Sequence, residues 1–250
     1  MEFRFVYIFT VIPKLLPYLG ITLLIALLTL VVGLLLGALL AWAKLGNITV
    51  LRKLAYGYTS VIRCTPPLIL LFMSYYGLPK LFSLFGIDIN DIDKLYFVLT
   101  AFILLYTAVL SELIRSTYEA IDPGQFEAAA SVGMTGWQAL RRIIIPQGVF
   151  FAIPNLGNTV ISLLKEGSLA FTIGLIDVMG RAKMIISLNY GAHALEIYLA
   201  LALVYWGLTF LVVKAVRFLE DIFNIRKENS AAPASKGRGF GRRRHDAVQS

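Results

Sequence analysis

Two acids, Glu112 and Glu166, stand inside stretches that are otherwise apolar, and the chemistry open to a carboxylate in such a place is recognition of a cation. A charge at the centre of a membrane span costs roughly 2.5–3.5 kcal/mol on insertion scales, so an acid there faces protein, water or a ligand rather than lipid. Glu112 lies three residues before Arg115, on the same side of a helix. Two readings stand side by side: an ion pair with Arg115 near a membrane surface, or a negative charge offered to an ammonium group in a cavity. Glu166 sits in Lys165-Glu166-Gly167-Ser168, with Asn158 two turns earlier on the same helix. Charges beside a glycine in mid-span mark a broken helix whose freed backbone groups line a midplane site. Asn158 and Ser168 would add neutral hydrogen bonds there. Other chemistry is excluded or unsupported. Cys64 is the only cysteine, so an intrachain disulfide and a cysteine-based metal cluster are impossible, and it is read as a small buried residue. His193 and His245 lack metal-ligand spacing and are read as incidental. No stretch matches GxxxxGK[ST], so the chain has no phosphate cradle of that type and cannot hydrolyse ATP alone.

The elements that must hold these residues are membrane spans. The chain has 250 residues, 58% of them hydrophobic, against ~45–50% in soluble domains. The net charge of +8 is gathered in alternate loops and the C-terminal tail, so it reports topology rather than nucleic acid binding. No small-residue cleavage site follows the first apolar core, which is read as the insertion signal itself rather than a removable signal peptide. Pro13 and Pro17 interrupt the opening segment, and a first span is predicted from Tyr18 to about Ala43. Gly33 and Gly37 give it a GxxxG spacing suited to close helix packing inside the protein. Lys44, Arg52 and Lys53 mark its exit as cytoplasmic and place the N-terminus outside. A second span is predicted over Tyr58–Leu78, distorted near Pro66, and a third over Leu95–Thr117. If Pro154 opens the fourth span, that span runs to about Ile176 and centres on Glu166. The rival arrangement, from Ile143 to Leu164 with residues 165–168 as a surface turn, is disfavoured by Pro146 and Pro154. Arg181, Lys183, Asn189 and Glu196 are assigned to an outer loop, and a fifth span covers about Leu195–Phe218. Residues 1–225 form the transmembrane domain, and 226–250, poor in hydrophobes, read as a disordered basic cytoplasmic tail that suits anionic lipid better than RNA.

Between the third and fourth spans, about 118–142, lies a polar island that cannot be buried in lipid, EAAASVGMTGWQALRRIIIP from Glu127 to Pro146. Ala128, Ala129 and Ala130 favour a slim helix, and Gly133 suits a C′ position with φ > 0. Two short helices joined near Gly133 would form a compact docking knob.

This island resembles the EAA signature of binding-protein-dependent ABC importer permeases: Glu127, Ala128 and Ala129, then Gly133, Ile143 and Pro146 at the family's spacing, with Ile145 in place of the usual Leu. RCTPP from Arg63 to Pro67, and the YYGLP that follows, resemble the polar-amino-acid branch, as does LLKEGSL beside that branch's LLKDTSL. In the latter Glu166 stands in the Asp position near the substrate path and Gly167 replaces Thr, which removes a hydroxyl. The resemblance implies an all-α membrane protein of five transmembrane helices, N-terminus outside and C-terminus cytoplasmic, in a bacterial inner membrane. It implies two permease subunits, identical or paired with a close relative, and two cytoplasmic ATPases docked on the EAA loop. An external solute-binding protein would deliver a polar amino acid of the histidine, glutamine, arginine or cystine type. ATP and Mg would be bound by the ATPases, with no cofactor in this chain. An ATP-independent amino acid carrier or channel with an EAA-like loop is the alternative.

Overall fold

The computed structural model of the chain describes residues 4–222, which are helix and connecting turn with no strand among them. In lipid every backbone N–H and C=O must be bonded within its own segment, so long apolar runs become helices. The first run gives α1 (Phe5–Leu15) and α2 (Leu19–Leu45), joined by one 3₁₀ turn at Leu16–Tyr18. The expected interruption by prolines is confined to that 3₁₀ turn, and the run stays helical from Phe5 to Leu45. Pro13 is carried inside α1, and Pro17 takes a first-turn position of the 3₁₀ turn, where its missing N–H costs little.

The second span is more deeply broken, and longer, than Tyr58–Leu78. It consists of α3 (Thr49–Cys64), α4 (Pro67–Phe72), a π turn (Met73–Gly77) and α5 (Leu78–Ser83), with a 103° bend between Cys64 and Pro67. Each proline forces the residue before it out of the helical region. Thr65 and Pro66 are accordingly extended, with ψ of 126° and 139°, and Pro67 starts α4. Cys64, expected to be buried, is exposed, because it ends α3 where the chain turns away from the core.

The third span, α6 (Lys94–Glu119), falls where expected, its start capped by the Asp93 carboxylate accepting from the Leu95 N–H at 2.8 Å. The docking island forms α7 (Gly124–Ser131) and α8 (Gly136–Ala139). From there the helix continues through a π turn at Leu140–Ile144 into α9 (Ile145–Gly167) and ends in 3₁₀ turns at Ser168–Ile173. A fourth span starting at Pro154 is therefore wrong. The π turn widens the helix directly before Pro146, taking up its missing donor and ring, and Pro154 is accommodated within α9. Nor are residues 165–168 a surface turn, since Gly167 is buried and Glu166 half-buried. The supposed outer loop also contains a helix, α10 (Val178–Leu188), before the last span, α11 (Ala194–Ile222). Val178, Ala182 and Ile185 of α10 pack with Ile8 and Val11 of α1 and with Ile197 and Val204 of α11. Asp177, fully buried, caps α10 by accepting from the Gly180 N–H at 2.8 Å, and burial pushes its carboxyl up to about 6. Among the described residues four helical segments are long and apolar enough to cross a membrane, or five where the bent pair α3/α4–α5 counts as one broken span. The predicted tail, 226–250, lies outside the described residues.

Lipid offers no hydrophobic drive for helices to associate, so close backbone approach must supply the contact. One face of α2 carries Thr22, Ala26, Thr29, Gly33, Gly37, Ala41 and Lys44, all buried. It lies against α6 so closely that a Cβ on Gly37 would stand 3.1 Å from Leu110 Cβ and 3.2 Å from the Ser111 nitrogen. The GxxxG spacing thus serves packing within the subunit. Ile25 of α2, Leu71 of α4, Phe102 and Leu110 of α6 and Leu163 of α9 complete the main core around this seam.

Candidate transport site

The break in the second span opens a cavity of about 420 Å³ against α6 and α9. From the break come Arg63, Thr65 and Pro67; α6 adds Leu105, Tyr106 and Val109; α9 adds Asn158, Ser162 and Glu166. Each position follows from local structure. Two successive prolines end α3 just after Arg63, so the guanidinium is presented at a gap rather than packed along a helix. Asn158, Ser162 and Glu166 are spaced by four, one face of α9. Tyr106, 2% exposed, packs beside Gly33 of α2 and donates its hydroxyl to Glu166 Oε2 at 3.1 Å. Glu166 has no cationic partner among the described residues. One guanidinium and one carboxylate therefore share a small, largely apolar cavity without neutralising each other directly.

The four predicted recognition residues are divided by the structure. Asn158 and Glu166 line the cavity together. Ser168 does not: its hydroxyl turns back to donate to the Lys165 carbonyl at 2.6 Å, closing the last turn of α9. Glu112 is also elsewhere. It accepts from Lys44 Nζ at 2.6 Å and from Arg115 at 2.8 Å, and Arg115 continues to Glu119. Lys44 is a wholly buried side chain that also donates to Ser111 Oγ at 2.8 Å and lies over the Tyr56 ring. Of the two readings of Glu112, the ion pair describes its surroundings, with a second partner that the sequence argument used only as a topology marker. Arg63, Thr65, Tyr106, Thr159 and Ser162 are the polar cavity residues that reasoning missed. The paired prolines could have pointed to Arg63 and Thr65, and the spacing by four to Ser162; nothing local points to Tyr106.

The polar island forms a projecting knob. Gly133 has φ of +77°, and the Thr135–Gln138 pair forms a capping box that starts α8. Ala129, Ala139 and Ile144 are buried beneath, and Gln147 donates to Gln125 at 3.2 Å, tying α7 to α9. Glu127 and Ala128 are exposed, as are Val132 (75%) and Trp137 (67%). Pro146 lies at the root of the knob, in the first turn of α9.

The chain and its fold have counterparts among known proteins. Residues 33–222 match the family described as "Binding-protein-dependent transport system inner membrane component". The L-cystine transport system permease protein TcyL of Bacillus subtilis (strain 168) is 42% identical over 80% of this chain and 83% of its own length. The probable amino-acid ABC transporter permease protein PatM of Vibrio harveyi is 39% identical over 90% and 98%. A solved structure, "Crystal structure of an amino acid ABC transporter with histidines", superposes with a TM-score of 0.77 at 33% identity, covering 88% of this chain and 99% of that one. The MetNI methionine ABC transporter in its inward-facing form has a TM-score of 0.63 at 18% identity and shares the fold. With a broken-span cavity, an exposed EAA knob and a family match over most of its length, this chain belongs to the inner membrane components of binding-protein-dependent transport systems.

Proposed function

We propose that this permease subunit carries polar α-amino acids and that the α3–α4 cavity is where it holds them, with Glu166 taking the ammonium and Arg63 the carboxylate. The observation that carries this reading is the pair itself. A zwitterion needs one fixed charge of each sign within reach, and this cavity has Glu166 and Arg63 with Asn158 and Ser162 between hydrophobic walls. The amino acid transporters among its relatives support the substrate class. Glu112 and Ser168 have no part in this version of the site.

Two cytoplasmic ATPases bind ATP and Mg and dock on the knob through Glu127, Ala128, Ala129 and the turn at Gly133, with Pro146 at its root. A second permease subunit completes the pathway and an external solute-binding protein delivers the substrate. The membrane is the bacterial inner membrane, with the N-terminus outside. Closure of the ATPases moves α7 and α9 together, rocking the cavity between two faces.

Proteoliposomes carrying the permease, its ATPases and its receptor test the whole reading. Uptake of radiolabelled polar amino acids is expected only with internal ATP; equal uptake by permease alone makes it an ATP-independent carrier. In the same assay Arg63→Gln is expected to weaken substrate ~10- to 100-fold, the loss of a charge-assisted hydrogen bond, while competition by the decarboxylated amine stays as in wild type. If the amino acid and the amine weaken together, Arg63 does not read the carboxylate. Gly133→Val is expected to lose co-purification of the ATPases. A Cβ there meets no atom within 4 Å, so the obstacle is the left-handed backbone, at roughly 1–2 kcal/mol, and normal co-purification would count against the docking turn.

A further inference from the structure

A second cavity, about 210 Å³, lies between α9 and α11, and Asn158 borders both. The two helices run antiparallel and touch here: a Cβ on Gly157 would come within 2.5 Å of Val216 Cγ2, which fixes one wall. Arg217 and Glu220, one turn apart on α11, face the cavity. Neither side chain makes an ion pair or a hydrogen bond with a described residue, and the Asn158 amide likewise has no hydrogen-bond partner among them. The upper cavity offers Arg63, Glu166 and Asn158; the lower one offers Arg217, Glu220 and Asn158. Both sets contain one guanidinium, one carboxylate and the same amide.

Their order along the pathway follows from α9. Glu166 is two turns from Asn158 on the side away from the knob, about 12 Å at 1.5 Å per residue. Pro154, which borders the lower cavity, lies one turn from Asn158 towards the knob. Arg217 and Glu220 belong to the last turns of α11, which returns to that same end. We propose that the α9–α11 cavity is a second, release-side site for a zwitterionic α-amino acid, to which Asn158 passes the substrate from the upper cavity. This rests on the reading of the upper cavity as an amino acid site. The carboxylate is taken by Arg217 and the ammonium by Glu220, so the substrate keeps a partner for each charge as it leaves Glu166 and Arg63.

The test counts bound ligand on the full permease–ATPase complex without nucleotide. The complex is held in phosphatidylglycerol nanodiscs, whose headgroups carry no ammonium that could occupy the cavity. Radiolabelled L-arginine, L-glutamine, L-histidine and L-cystine serve as probes. For the probe that binds, two molecules per permease chain are expected. Arg217→Gln and Glu220→Gln each weaken the second roughly tenfold or more and leave the first unchanged, whereas Glu166→Gln weakens the first. One molecule per chain, sensitive to Glu166→Gln and indifferent to Arg217→Gln and Glu220→Gln, overturns the release-side site and leaves the upper one standing. A second molecule that both α11 variants leave unmoved overturns it as well. Binding that responds to the α11 variants but not to Glu166→Gln removes the upper site, and with it the transfer through Asn158. No binding by any probe removes both.

Discussion

Glu112→Gln is expected to destabilise the folded subunit by about 1–3 kcal/mol, the penalty for leaving the buried Lys44 ammonium without its carboxylate. The stranded group is Lys44, whose side chain is wholly buried and whose other hydrogen bond is to Ser111 Oγ, itself donating to the Ala108 carbonyl at 2.8 Å. Arg115 suffers less, since it retains Glu119. Lys44→Met should be milder, because Glu112 keeps its bonds to Arg115. The double variant Lys44→Met/Glu112→Gln removes both charges and should recover most of the loss, the non-additivity expected of contacting residues. Thermal unfolding of the detergent-solubilised subunit measures all three. An equal loss in Glu112→Gln and Lys44→Met, with no recovery in the double variant, would rule out the pair as the cause.

A second large effect is expected at Glu166, where the change should be in transport and not in assembly. Glu166→Gln keeps size and an oxygen that can accept from the Tyr106 hydroxyl, but removes the charge proposed to hold the ammonium. Half-saturation of uptake should rise ~10- to 100-fold, the range for a hydrogen bond to a charged group, with the ATPases still co-purifying in normal amount. Tyr106→Phe serves as the control. It deletes a hydroxyl that orients Glu166 but leaves the carboxylate, so a smaller shift is expected. Unchanged uptake in Glu166→Gln would remove this residue from the site.

These two acids also show how far a sequence can be read. Both were recognisable as intramembrane carboxylates, because an acid in an apolar run is conspicuous whatever surrounds it. Their roles diverge through partners that lie 60 to 68 residues away along the chain: Tyr106 for Glu166, Lys44 for Glu112. The burial of Lys44 had a local signal, since it continues the face of α2 marked by Thr29, Gly33, Gly37 and Ala41. Its cationic character drew attention to membrane topology and away from that spacing. The prolines misled in the opposite direction. Pro13 and Pro146 were expected to interrupt helices and Pro154 to open one, and each is absorbed into a helix, because a π turn or a neighbouring helix can take up a single missing donor. Among the described residues only the double Pro66–Pro67 bends a span sharply, and the cavity lined by Arg63 and Glu166 opens there.

By itself the sequence determined that the chain is a bundle of membrane helices with an exposed two-helix knob. Lipid leaves an apolar run no other way to bond its backbone, and the type and spacing of residues from Glu127 to Pro146 suffice for the knob. The tertiary structure alone decided which charges meet and which stay open to a ligand. In a bilayer that choice depends on which helix faces approach closely enough to touch, here through Gly33 and Gly37 of α2 against α6 and Gly157 of α9 against α11, a property of pairs of segments that neither member carries alone.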